Sequence, residues 1–138
     1  MASFIYNSAV DDMARGAIDF DTDSFKVMLV TSSYTANKDT HTKRSDVTNE
    51  ASGTGYTAGG ASSVCTVAKD TANDKVTLSF AAVSWGSSTI TAAAAVIYKT
   101  RGGASSADEL VAYIDFGGNI SSAGGTFSVG ASTITLQN

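Results

Sequence analysis

"SVCTVAKDTANDKVTLSF", residues 63–80, decides the fold. Val, Thr and Phe, which favour a pleated, half-buried surface, recur through it. The intervening DTAND (70–74) has the composition of a tight hairpin turn. Strands are therefore predicted at 63–69 and 75–80, and the pattern continues downstream with strands at 89–99, 109–116 and 125–136. SWGSS (84–88), TRGGASSAD (100–108) and GGNISSAGG (117–125) supply the connections. Strands at such regular spacing predict a mainly β domain, an antiparallel β-sandwich of jelly-roll-like type.

Upstream, SFKVMLVTS (24–32) reads as a central strand. Phe25, Val27 and Leu29 face one way, and Met28 and Val30 are apolar on the other, so both faces are expected to be covered. Residues 8–18 (SAVDDMARGAI) read as a short core-docking helix, capped by Ser8, with Asp11 and Asp12 in its first turn. Val10, Met13, Ala14, Ala17 and Ile18 form its apolar stripe, and Gly16 weakens its end. Between these elements and the meander lies a polar loop, 33–60, in which Tyr34, Val47 and Tyr56 stand nearly alone. A structureless segment of that length is functional or is ordered by a partner.

Composition sets the outer bounds. The 138 residues fit one domain, 1–138, with 43% hydrophobic and only 16% charged residues. A net charge of −4 with scattered basic residues argues against direct nucleic-acid binding. No apolar run is long enough to span a bilayer, and the N-terminus does not read as a secretory signal. One cysteine and one histidine cannot supply a zinc site, and proline is absent, so the turns must use Gly, Asn, Asp or Ser.

EASGTGYTAGGASSV (50–64) is dense in glycine, but a polar loop precedes it and a strand follows, the reverse of a phosphate cradle. Its glycines are read as conformational, and no cofactor is expected. Asp19, Asp21 and Asp23 alternate as in a calcium loop, but Ser24 and Val30 occupy the EF-hand's Gly and Glu positions. They are read as solvated turn carboxylates, with a looser cation site as the alternative. Cys65 reads as a small buried hydrophobe and His41 as a loop residue without an orienting partner, so no catalytic residue is assigned. Trp85 and Tyr98 are read as core or rim residues, with a sugar-stacking platform as the alternative. TAAAAV (91–96) implies close packing, within the chain before a subunit contact.

Several stretches carry a resemblance: ARGAIDFDTDSFKVMLV (14–30), YTANKDTHTKRSDVTNEASGTGYTAGG (34–60), DTANDKVTLSFAAVSW (70–85), AVIYKT (95–100) and LVAYIDFGG (110–118). Together they resemble a family of small virion structural proteins of tailed bacteriophages, in order along nearly the whole chain. The resemblance implies a non-enzymatic capsid cement or decoration protein, made in the host cytoplasm and located on the capsid surface. Its partners would be the major capsid protein and further copies of itself, as a dimer or trimer. The alternative is a tail, neck or fibre-base component, with a glycan-binding module built on Trp85 or a loop tyrosine. The loop 33–60 is expected to be the partner surface, with Tyr34 and Tyr56 as aromatic anchors and Lys43 and Arg44 facing capsid carboxylates.

Overall fold

The computed structural model describes residues 2–138. In chain order the elements are β1 (Phe4–Ile5), α1 (Asn7–Ala14), β2 (Phe25–Val30), β3 (Gly53–Thr54), β4 (Ala61–Ser63), β5 (Cys65–Asp70) and β6 (Lys75–Phe80). They continue with β7 (Val83–Lys99), β8 (Leu110–Ser121), β9 (Gly125–Val129) and β10 (Ser132–Gln137). The chain is mainly β, with antiparallel sheets and one short N-terminal helix, as its composition and spacing predict. One sheet has seven strands in the order β1-β8-β7-β2-β4, with β3 and β9 pairing along β7; the other has three, β10-β6-β5.

The two sheets bury a common core. Phe25, Val27 and Leu29 of β2, with Ala95 and Ile97 of β7, meet Cys65, Leu78 and Phe80 of the smaller sheet. Phe25 stacks on Phe20 at 5.5 Å and meets the edge of Phe80 at 5.3 Å. A fully buried side chain of this size contributes about 2–3 kcal/mol. Helix α1 closes the end of this layer through Ala9 and Met13.

The helix is shorter than the predicted 8–18. It ends in a Schellman motif: the Gly16 amide donates to Met13 O, the Ala17 amide donates to Asp12 O, and Gly16 takes φ +79°. Gly16 thus terminates the helix rather than weakening it. The cap position is Tyr6, not Ser8, whose buried hydroxyl has no partner. No acidic residue falls in the first turn, so Asp11 and Asp12 are not placed against the positive end of the dipole. Val10, predicted to be in the apolar stripe, is exposed.

Four predicted strands differ in extent, because strands here change sheets or run through composition that reads as turn; the predicted 109–116 is β8, which runs on to Ser121 through the first half of GGNISSAGG. The run 63–69 is cut at exposed Val64, with β4 pairing to β2 in the large sheet and β5 to β6 in the small one. The run 125–136 is likewise split, β9 lying along β7 and β10 along β6. Sandwich corners form where a strand crosses between layers in this way. SWGSS is not a connection. It belongs to the 17-residue β7, where Ser87 takes φ 48° and the register against β9 shifts between Trp85 and Ser88. Ser88 is fully buried there, and its hydroxyl lies 2.8 Å from that of Ser122 and 2.9 Å from Trp85 O.

The second face of the large sheet is also covered. Met28, Val30, Ala94, Val96, Tyr98 and Tyr113 form a separate buried cluster with Tyr6, Tyr34 and Ala36. The segment between β2 and β4 therefore makes a third layer, which is what the apolar character of both faces of β2 requires.

Candidate functional site

The third layer contains the loop 33–60, whose few apolar residues predict a segment that waits for a partner. It satisfies itself by other means. Its start is tied to β2 by the Thr31 amide donating to Asn49 O (2.9 Å) and the Ala51 amide donating to Leu29 O (2.8 Å). From there three side-chain clusters fasten it to the large sheet.

The first cluster is a chain of rings. The hydroxyls of Tyr6 and Tyr34 lie 3.0 Å apart, and that of Tyr34 lies 2.8 Å from His41 Nδ1. The Asn37 amide donates to the same nitrogen at 3.2 Å, so Nδ1 is an acceptor and the Tyr34 hydroxyl donates to it. The Tyr34 and His41 rings stack at 5.6 Å. Burial raises the Tyr34 pKa, which keeps the hydroxyl protonated for this role.

Glu50 organises the second. Its Oε1 accepts the Tyr56 hydroxyl and the Gly59 amide, each at 2.6 Å, while the Leu29 amide donates to Tyr56 Oη at 3.1 Å. The Tyr98 hydroxyl reaches across from β7 to donate to Gly59 O at 2.5 Å. Burial, followed by the Glu50 contact, raises the Tyr56 pKa; burial pushes Tyr98 up to about 12 against the opposing pull of Arg44. The glycine-dense stretch is thus a tightly bonded turn, and no helix N-terminus follows it. The conformational reading of its glycines fits this geometry.

The third cluster is ionic. Arg44 Nε donates to Asp108 Oδ2 at 2.8 Å, and its guanidinium sits 5.1 Å above the Tyr98 ring. Asp108 and Glu109 are each 1% exposed. Glu109 accepts from Arg101 Nε (2.6 Å) and Nη2 (3.0 Å), with Lys43 Nζ at 3.7 Å. Below them, Asp46 accepts the Thr42 and Lys43 amides, which hold its carboxyl below the usual range. That contribution is present above the ordinary carboxylate pKa and is lost as pH falls through the depressed value.

These contacts change the assignment of partner-binding residues. Tyr34 is 4% exposed and offers no surface to a partner. Tyr56 packs on Trp85 at 5.5 Å and spends its hydroxyl on Glu50 and Leu29. Arg44 is paired within the chain, and Lys43 is half-buried beside Glu109. Asn37, Lys38, Asp39, Thr40, Ser45 and Thr48 are instead among the exposed residues of the layer. These polar residues are held in place from beneath, and sequence reading had no signal for them, because exposure here is set by which neighbours are buried.

The remaining candidates also resolve. Trp85 is 6% exposed and meets Phe127 at 6.2 Å, so it presents no platform to a sugar. Asp23 is ion-paired with Lys99 at 2.7 Å and accepts the Asp19 amide at 2.8 Å, while Asp19 accepts the Asp21 amide, which lowers its pKa. These acids stabilise their own turn, and among the described residues no group of three or more such ligands is gathered around a cation position. His41 belongs to the outer cluster and Cys65 to the inter-sheet core, on opposite faces of the large sheet, so they form no nucleophile–base pair.

Burial, followed by the Asp21 charge, pushes the Cys65 thiol up to about 11, which leaves little thiolate at pH 8. A thiol-specific disulfide reagent at that pH is expected to label Cys65 no faster than the chain unfolds. Labelling within the mixing time would show that the β4–β5 corner opens locally.

A comparison with models of protein families finds no match, and neither a curated protein nor a solved structure matches the chain.

Proposed function

We propose that the chain is a structural protein of a tailed-phage virion, a cement or decoration protein bound to the outside of the capsid. The observation that carries this reading is the use made of the stretch bearing the resemblance. Tyr34, Tyr56 and Gly59 of that stretch bond the third layer to Tyr6, Leu29 and Tyr98, while His41, Asp46 and Glu50 brace it from within. Their chemistry is spent on rigidity. What remains outward is a polar ridge fixed before any partner arrives, so binding costs little further ordering. A protein that reinforces a shell under internal pressure needs such a preorganised face. The major capsid protein is the proposed partner, met through residues 37–40, Ser45 and Thr48 rather than through Tyr34 and Tyr56.

Cryo-electron microscopy of the encoding phage's particle tests this. The expected result is density for the sandwich on the shell exterior with the ridge against the capsid protein. Density confined to the neck or tail would replace the cement role by that of a tail component. Absence from the particle would overturn the virion reading.

A further inference from the structure

The open edges of the two sheets are unequal. β1, β3 and β4 are two or three residues long, too short to template pairing. β9 is interrupted by the register shift against β7. β8 is covered by β1 only at Ala112 and Tyr113, but its register against β7 breaks between Asp115 and Ile120. Two long, regular edges remain, on either side of β6. At β5, Lys69 lies on the same inward-facing side as Cys65 and Val67, and Asp70 follows it. Lys69 is itself exposed, and a lysine on an edge strand obstructs the addition of another strand. β10 has no such guard. Its six residues, STITLQ, run in unbroken register with β6, contain no charge and no proline, and have no named strand on their other side.

Beside that open edge lies a groove of about 380 Å³ between β10 and the β1–β8 margin of the large sheet. Ile5, Ile97, Ala112, Ile114 and Ile134 line its floor and walls, and none of its lining residues is charged. Leu136, on the inward face of β10 with Ile134, is 37% exposed. The chain carries a net charge of −4, so two copies repel except where they meet through an uncharged surface. A two-fold antiparallel pair also sets each strand against its own sequence, and any charge on it would face or neighbour a like charge. β10 meets both conditions.

We propose that β10 pairs edge to edge with β10 of a second copy, joining the two small sheets into one and closing each copy's groove with the other. The main chain supplies the hydrogen bonds, and Ile134 and Leu136 supply apolar area across the axis. This edge lies on the small sheet, while the polar ridge lies over the opposite face of the large sheet, so pairing leaves the ridge open. The proposal is independent of the virion reading, because it concerns the purified chain alone.

Light scattering across a loading series tests it. Twice the chain mass is expected at high loading, with the β10 amides that do not bond to β6 exchanging more slowly as loading rises. Thr133→Lys with Thr135→Lys places lysines on the outward face of β10 and is expected to return the chain to a monomer with unchanged circular dichroism. Thr66→Lys with Ala68→Lys makes the same charge change at the β5 edge and is expected to leave the dimer intact. A wild-type chain that remains monomeric at every loading would overturn the proposal, as would a dimer that survives the β10 substitutions or one dissociated only by those on β5.

Discussion

Gly60→Ala is expected to be the most damaging single-methyl change in the chain. Gly60 takes φ +82°, a conformation that L side chains rarely adopt, and a Cβ there would stand 1.9 Å from Val27 O and 2.6 Å from Val27 C. Those atoms are backbone of a central strand and cannot rotate away. Relieving the clash means pulling β4 off β2, because Ala61 is the partner of Val27 in the ladder. Backbone strain and overpacking together cost roughly 3–5 kcal/mol, a large part of the ~5–15 kcal/mol that holds a typical domain together. In a chain of this size the melting temperature should fall by about 15 °C. Gly53→Ala is expected to behave similarly, since its Cβ would meet Thr89 O at 2.1 Å. Gly130→Ala, with open space around it, serves as the control and should melt close to wild type. A Gly60→Ala variant that unfolds alongside that control would mean the close packing of this turn on β2 is not required.

Arg44→Ala is expected to cost about 3 kcal/mol. The substitution leaves the Asp108 carboxylate buried, held only by the Arg101 amide at 2.9 Å, and removes the cation from the Tyr98 ring. A buried charge stripped of its partner is more costly than the pair was stabilising. Arg44→Lys should recover part of the loss, since the charge returns without the planar guanidinium. The Arg15–Asp11 pair is the contrast: its distance is similar, 2.9 Å, but its side chains are 74% and 59% exposed. Arg15→Ala should be indistinguishable from wild type in urea denaturation. Equal effects of the two substitutions would show that burial of Asp108 does not govern the strength of the clasp. Because Arg44 stabilises the fold, a loss of partner binding on its replacement would not identify a contact residue. Substitutions at Lys38 or Ser45, on the ridge, address contact without disturbing the clasp.

Local chemistry determined the elements of this protein. Val and Thr runs, turns made without proline, and Phe25 to Val30 apolar on both sides were enough to predict an antiparallel sandwich with one helix and a sheet covered on both faces. These properties act over a few residues, so they are legible in order along the chain. The ends of elements were less so. Val64 and Gly130–Ala131 change sheets, and SWGSS stays in a strand, because cross-strand partners far along the chain decide where pairing stops. The third layer was the least legible part. Counting apolar residues in 33–60 predicts a segment that cannot bury itself, but its burial rests on polar pairs such as Arg44 with Asp108, 64 positions apart, and Tyr6 with Tyr34, 28 apart. Only the tertiary structure brings those partners together. It alone decided that the tyrosines and Arg44 face inward, because a polar side chain is buried when its partner waits at the right distance, and that distance is not written in the order of the residues.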